Sequence, residues 1–261
     1  MSIIDAPLVL PKIALLAVWE WHAGELGDPH PILGTNGVYY MPEGSSERIE
    51  TRTWELLTRA RLARNQRVSP LLIDTLRVLG SADREFYGWT AYPTALKRDG
   101  GGFFTGARGR DALRVLVDDD AVILQPLPDH RALAADLVHV LPRADAAPVR
   151  AVSIPRETPA RPPVAAGGRS PLAHPDTPPS DPDRDLITDV MTAPREATHQ
   201  LYTAVQGRGG RVRSLPLTAV DVADYGRAVT FTNHDLDGTE YINLTSGEEL
   251  VRLLEATNAN L

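Results

Sequence analysis

The chain has 261 residues, 43% hydrophobic and 23% charged, with 22 Pro, 20 Gly and no Cys, enough for one large domain or two small ones. The lack of cysteine excludes structural disulfides, Cys-ligated zinc, iron–sulfur clusters and thiol nucleophiles. A formal net charge of −7 argues against a nucleic-acid binder, which needs clustered excess Lys and Arg against phosphate.

From Met1 to Leu16 the chain carries Asp5 ahead of Lys12 and is broken by Pro7 and Pro11, which is not a secretory pattern. No segment approaches the ~20 apolar residues of a membrane-spanning helix. The expected location is cytoplasmic, without membrane insertion.

The apolar run Ile13 to Trp21 predicts a helix entered through Pro11, because proline is tolerated in a first turn. Helices are expected next over Glu47 to Ala63 and Pro70 to Leu79, the latter with Leu72, Leu76 and Leu79 at helical spacing. The period then changes to two. Arg84 to Tyr92, Gly102 to Ala107, Ala112 to Val117 and Ala121 to Gln125 read as four consecutive strands separated by Gly or Asp turns. Leu133, Leu137 and Leu141 mark one face of a following helix, and Val149 to Ile154 alternates as a short strand.

From Pro142 to Asp185 lie 44 residues with 11 of the 22 prolines and no aromatic. Such a stretch cannot bury enough surface to offset its ordering entropy, so the core of it, about Arg156 to Arg184, reads as a tether. Beyond it the same order returns. A helix is expected over Leu186 to Ala197, then strands at Gln200 to Gln206, Arg211 to Val222, Arg227 to Asn233 and Thr239 to Leu244. A last helix opens at Ser246, with Glu249 placed for a capping box and Leu250, Leu253 and Leu254 on its buried face.

The hairpin and helix that close each half overlay, ALRVLVDDDAVILQ on RAVTFTNHDLDGTEYINL, at an offset of about 115 residues. The fold class is therefore α+β, a central antiparallel sheet with flanking helical bundles and a pseudo-twofold from the internal repeat. The division expected is 1–155 as the first half, 156–185 as a Pro-rich linker and 186–261 as the second half-repeat. Both halves would pack as one body, two separate beads being the alternative.

Few constellations carry chemistry. Asp118, Asp119 and Asp120 read as a solvated hairpin tip, since consecutive turn residues point in different directions. Asn233, Asp235, Asp237 and Gly238 open like an EF-hand loop, but the twelfth position is Leu244 and the flanks are strands. His22 with Glu25, and His130 with His139, fit no metal pattern. Gly100 to Gly102 precede Phe103 and Phe104 instead of Gly-Lys-Ser/Thr, and no GxSxG occurs. Arg59, Arg61, Arg64 and Arg67 form a basic helical run, read as a solvated helix surface. No catalytic, cofactor-binding or metal-binding set emerges, and no cofactor is expected. The chain reads as an interaction protein and not an enzyme. A metal- or nucleotide-dependent enzyme and a DNA-associated regulator using Arg59 to Arg67 are the competing classes.

The long Gly-rich basic connection Lys97 to Arg110 (KRDGGGFFTGARGR) carries two adjacent aromatics. One of two neighbouring strand residues faces away from a one-sided core, and an exposed Phe would anchor a partner's apolar surface; both rings tucked against the sheet is the other reading.

Four segments resemble one family: LGDPHPIL at Leu26 to Leu33, REFYGW at Arg84 to Trp89, DDDAVILQPLPDHRALAADLVHVLP at Asp118 to Pro142 closed by VRAVSIP, and RGGRVRSLPLTAVDVADYGRAVTF followed by EYINLTSGEELVRLLEA. In order and spacing they resemble the EspG family, cytosolic chaperones associated with ESX (type VII) secretion in actinobacteria. The resemblance implies a central antiparallel sheet with quasi-twofold symmetry. It implies a chaperone that binds a helical secretion substrate, of PE–PPE or WXG type, and keeps it soluble for export. It places client contacts on the sheet face, the strand connection Lys97 to Arg110 and the helix Ser246 to Ala256. The partner-binding residues expected are Phe103, Phe104, Arg108, Leu250 and Leu254.

Overall fold

The computed structural model describes residues 3–34, 45–93, 100–156 and 181–261. Most of the expected linker and the start of the Lys97 to Arg110 connection lie outside them.

The first part runs β1 (Leu8–Pro11), α1 (Lys12–Trp21), α2 (Ala23–Leu26), α3 (Ser45–Arg59), a small hairpin of β2 (Ala63–Arg64) and β3 (Arg67–Val68), then α4 (Pro70–Gly80). Strands β4 (Arg84–Ala91), β5 (Gly101–Arg108), β6 (Asp111–Val117) and β7 (Ala121–Leu127) follow, closed by α5 (Leu133–His139). Strand β8 (Val152–Pro155) ends the first part, and the second has α6 (Pro182–Thr192), β9 (Arg195–Gly207), β10 (Gly210–Arg213), β11 (Leu217–Val222), β12 (Gly226–His234), β13 (Glu240–Ser246) and α7 (Leu250–Ala259).

One 11-stranded sheet takes the order β1-β7-β6-β5-β4-β9-β11-β12-β13-β8, with β10 also pairing β9. Its strand pairs are antiparallel. The architecture is thus mixed α+β, a large antiparallel sheet with flanking helices. The middle pair is β4 with β9, in register from Arg84–Val205 to Ala91–Thr198. From it β4 to β7 step outward in one direction, and β9, β11, β12 and β13 step outward in the other.

Both faces of the sheet are covered. On one, Tyr87, Phe104, Val115 and Leu124 pack with Trp19, Leu33 and Leu76 from the N-terminal helices and turns. Helix α6 covers the outer strands of the second part on that face through Ile187 and Val190. On the other face Phe86, Phe103, Leu201 and Val229 pack beneath Leu137 of α5 and Leu250 and Leu254 of α7. Each such fully buried Phe or Leu contributes about 1.5–3 kcal/mol of transfer free energy. The LGDPHPIL segment pins the first face: the His30 ring meets Tyr87 and Phe104 edge-on at 4.9 and 5.0 Å, and Trp19 Nε1–H donates to the Gly27 carbonyl at 2.8 Å.

Several elements differ from the sequence reading for local reasons. Strand β1, unforeseen between Pro7 and Pro11, pairs the outer edge of β7. Helix α6 starts at Pro182 instead of Leu186 because the Asp181 carboxylate accepts from the Asp183 and Arg184 amides, and it stops before Pro194. The strand expected over Arg211 to Val222 is broken at Ser214–Pro216 into β10 and β11. Ser246 caps a 3-10 turn ahead of α7, and Glu249 pairs with Arg252 instead of closing a capping box. Arg64 and Arg67 belong to the β2–β3 hairpin and Arg61 to a turn with φ 59°, so the basic run is not helical throughout.

A buried polar chain crosses the second face. Thr90 Oγ1 meets His199 Nδ1 at 2.8 Å, His199 Nε2 meets Asp221 Oδ2 at 3.0 Å, and Arg227 grips Asp221 through Nε at 2.6 Å and Nη2 at 2.8 Å. Arg227 Nη2 also donates to the Pro142 carbonyl at 2.7 Å. The chain thereby ties β4, β9, β11 and β12 to the segment after α5. Burial alone would raise the Asp221 carboxyl, but the His199 and Arg227 hydrogen bonds and the Arg227 charge outweigh it and bring it from 3.8 to about 2.

A carboxyl depressed in the fold stabilises it above its unfolded pKa and ceases to do so as pH falls through the folded one. Stability followed by denaturant titration should therefore fall by on the order of 2 kcal/mol as pH drops from 3.8 to about 2. Asp221→Asn should remove that acid limb and cost about 3 kcal/mol at neutral pH. Gly88 faces a second constraint, since a Cβ there would lie 2.4 Å from the Gln200 carbonyl oxygen and 2.9 Å from Leu201 Cδ2. Gly88→Ala should lower the melting temperature, at a cost of about 1–3 kcal/mol, because backbone at the middle of the sheet cannot retreat.

Candidate functional site

Helix α7 carries two parallel stripes. Leu250, Leu254 and Asn258 are buried against the sheet. Asn258 fixes the last turn by donating from Nδ2 to Thr203 Oγ1, and at 3.3 Å to the Ala204 carbonyl. Arg84 Nη2 reaches Glu255 at 3.4 Å. The neighbouring stripe, Leu253 and Thr257, continued by Leu261 just beyond the helix end, is left half-buried to exposed.

That second stripe forms one wall of a groove of about 560 Å³. The floor is Leu217 of β11 and Phe231 of β12, and the opposite wall is Leu215 and Pro216 where β10 breaks from β11. Pro216 and the Ser214 hydroxyl, which accepts from the Thr203 amide at 3.1 Å, shape the break. Leu215 is 54% and Leu261 40% exposed. Asn233, His234 and Asn260 ring the mouth. The result is a concave apolar strip with a polar rim, the anatomy of a surface that receives another protein's apolar side chains.

Two other depressions differ in kind. Ile13, Leu16, Trp21 and Ile49 line a pocket of about 390 Å³ between α1 and α3, beside a Trp21–Trp54 stack at 4.3 Å. A cleft of about 660 Å³ is bordered by Arg143, Asp145, Glu196, Asp221, Asp224 and Tyr225. Its floor carboxylate, Asp221, is already held by His199 and Arg227, so it offers no free base. Among the described residues no three His, Cys, Asp or Glu side chains are placed to hold a metal ion. No helix among them is long and apolar enough to cross a membrane.

The residues singled out from sequence are placed as follows. Phe103 and Phe104 project to opposite faces, as strand alternation requires, and both are buried, at 5% and 0% exposure. The outward Phe expected as an anchor is thus not exposed, because α5 covers the second face: Thr105 Oγ1 donates to the Leu133 carbonyl at 2.8 Å directly beneath it. Phe103, Leu250 and Leu254 come together in one core cluster. Phe104 lies in the cluster on the other face. Arg108 ends β5, where its Nη1 donates to Ser81 Oγ at 2.9 Å. The strand connection leaves β4 beyond Ala91, which pairs with Thr198, at the opposite end of the sheet from the groove. Leu215, Phe231 and Leu261 were not among the residues expected, and Leu253, expected on the buried face of the last helix, is instead half-buried on the groove side. The i, i+4 spacing of Leu253 and Thr257 carries the signal for the helix wall.

No curated protein matches the chain in sequence. Among solved structures it is similar to the Mycobacterium tuberculosis type VII secretion system chaperone EspG5, determined in complex with a PE25–PPE41 dimer. The TM-score is 0.63 at 12% identity, covering 97% of this chain and 96% of that chain, a likeness of fold. The EspG family model matches residues 13–251, and the chain belongs to the EspG family.

Proposed function

We propose that this protein is a cytosolic chaperone that binds a helical ESX secretion substrate, a PE–PPE dimer or a related helical hairpin, and keeps it soluble for export. Membership of the EspG family, together with a relative of the same fold determined in complex with a PE25–PPE41 dimer, carries the reading. The groove beside α7 supplies its physical basis. A helical hairpin with an apolar tip aggregates until that tip is covered, and an apolar strip walled by Leu253 and Leu215 over Phe231 is suited to covering it. The work required is burial and release, for which no reaction centre is needed.

The order of strands favours an origin by duplication. Each half steps outward from the β4–β9 pair through a meander and ends in a helix on the same face, with β1 and β8 on the two rims. We take residues 1–155 and 186–261 as the two half-repeats of one pseudo-twofold body, joined by a tether read over 156–185, whose last residues form the first turn of α6. In this reading Phe103, Phe104, Leu250 and Leu254 serve the client indirectly, by holding the strands and α7 that form the groove, and Arg108 fixes the end of β5.

Affinity purification from the native host tests the function. A small helical protein or heterodimer recovered in stoichiometric amount is the expected result; a lone protein, or DNA lost steeply with rising salt, would contradict it. Against the recovered client, Leu253→Asp and Phe231→Asp should each weaken binding by about 10-fold or more with an unchanged circular dichroism spectrum. Leu254→Ala should instead lower stability by about 2–5 kcal/mol, which a melting curve separates from a binding defect.

A further inference from the structure

On the face of the sheet opposite the α7 groove, Tyr87 sits in a cluster of five aromatic rings. Tyr87 and Tyr202 stack at 5.4 Å, Trp89 meets them edge-on at 5.7 and 5.9 Å, and His30 and Phe104 close the inner side. Strand β10 lays two arginines over this cluster, Arg211 at 4.9 Å from the Tyr87 ring and Arg213 at 4.8 Å from the Tyr202 ring. The two arginines are not equivalent. Arg211 pairs with the buried Glu85 carboxylate and contacts His30 Nε2 at 2.6 Å, so its charge is matched. Arg213 is exposed and has no carboxylate partner among the described residues.

Beneath them the Tyr87 hydroxyl is fully buried and makes no hydrogen bond. Its charged neighbours are Arg211, Arg213 and Glu85. Burial raises its pKa above the usual phenol value, so at neutral pH it is a donor with nothing to donate to. A buried donor without an acceptor is rare and destabilising; here the Arg213 guanidinium lies over Tyr202 and beside the Tyr87 hydroxyl, but as a donor itself it cannot accept that proton.

We propose that this corner docks a carboxylate of a partner protein: an Asp or Glu flanked by an apolar side chain. Arg213 turning off Tyr202 lets the carboxylate take the guanidinium fork on one side and the Tyr87 O–H on the other. Trp89 and Tyr202 then receive the apolar neighbour. One unmatched positive charge, a planar fork and one neutral donor fit a monoanionic carboxylate better than a phosphate dianion. The site is on the other face from the α7 groove, so it stands or falls independently of the client reading.

The test is titration of the full chain, by ¹⁵N-resolved NMR, with the peptide acetyl-Ala-Leu-Glu-Leu-Ala-amide and its Glu→Gln counterpart. Saturable shifts of the Trp89 indole and the Arg213 amide are expected with the Glu peptide, and binding at least about 5-fold weaker with the Gln peptide. Tyr87→Phe and Arg213→Gln should each weaken the Glu peptide about 5- to 10-fold. Tyr87→Phe should also raise the melting temperature, since it removes the orphan donor and keeps the ring. Equal binding of both peptides, undiminished binding by Tyr87→Phe, a lowered melting temperature for that variant, or inorganic phosphate binding more tightly than the Glu peptide would each overturn the proposal.

Discussion

The pairing of β4 with β9 is the constraint on which the rest depends. These strands come from the two parts of the chain, and their eight residue pairs from Arg84–Val205 to Ala91–Thr198 make a single sheet of what would otherwise be two small meanders. A four-stranded meander alone would leave one face wet or short of cover. Joined, the strands present a wide surface on which α5 and α7 lie side by side over Phe86, Phe103 and Leu201. The close approach at Gly88, and the Thr90–His199–Asp221–Arg227 chain running across the join, are consequences of placing that pair in the middle.

The site follows from the same constraint. Helix α7 is held down through Leu250, Leu254 and Asn258, which leaves its adjoining stripe to face outward over β12. Pro216 and Ser214 break the β10–β11 strand beside it, and that break supplies the facing wall. The groove thus needs no residue of its own kind: it is what remains when a helix narrower than the sheet face is anchored along one side. On the opposite face, the same break leaves β10 paired only with the end of β9, so that Arg211 and Arg213 arch over the aromatic cluster at the sheet centre.

Much of the fold was legible because alternation and turn chemistry are local. REFYGWTA and ALRVLV announce their strands, and Leu72, Leu76 and Leu79 announce α4. What escaped was non-local. LVLP between prolines becomes a strand only because the rim of β7 is open to it. Phe103 and Phe104 were known to point in opposite directions, but which faces are covered depends on where α5 lands, 28 residues on from Thr105 at Leu133. Spacing placed Leu253 with Leu250 and Leu254, but it lies one position off the buried stripe of Leu250, Leu254 and Asn258; Leu215 and Phe231 could not be joined to it without the strand order. The resemblance to the EspG family drew on order and spacing over most of the chain, and the family match spans residues 13–251.

Hydrogen–deuterium exchange of the chain with and without its helical client, recovered from the native host, tests the central claim most directly. Client binding should slow exchange at Leu215 to Leu217, Phe231 to His234 and Leu253 to Leu261, leaving the acidic cleft around Asp224 unchanged. Protection confined to that cleft, or to the α1–α3 pocket, would contradict the assignment of the α7 groove as the surface that receives the client.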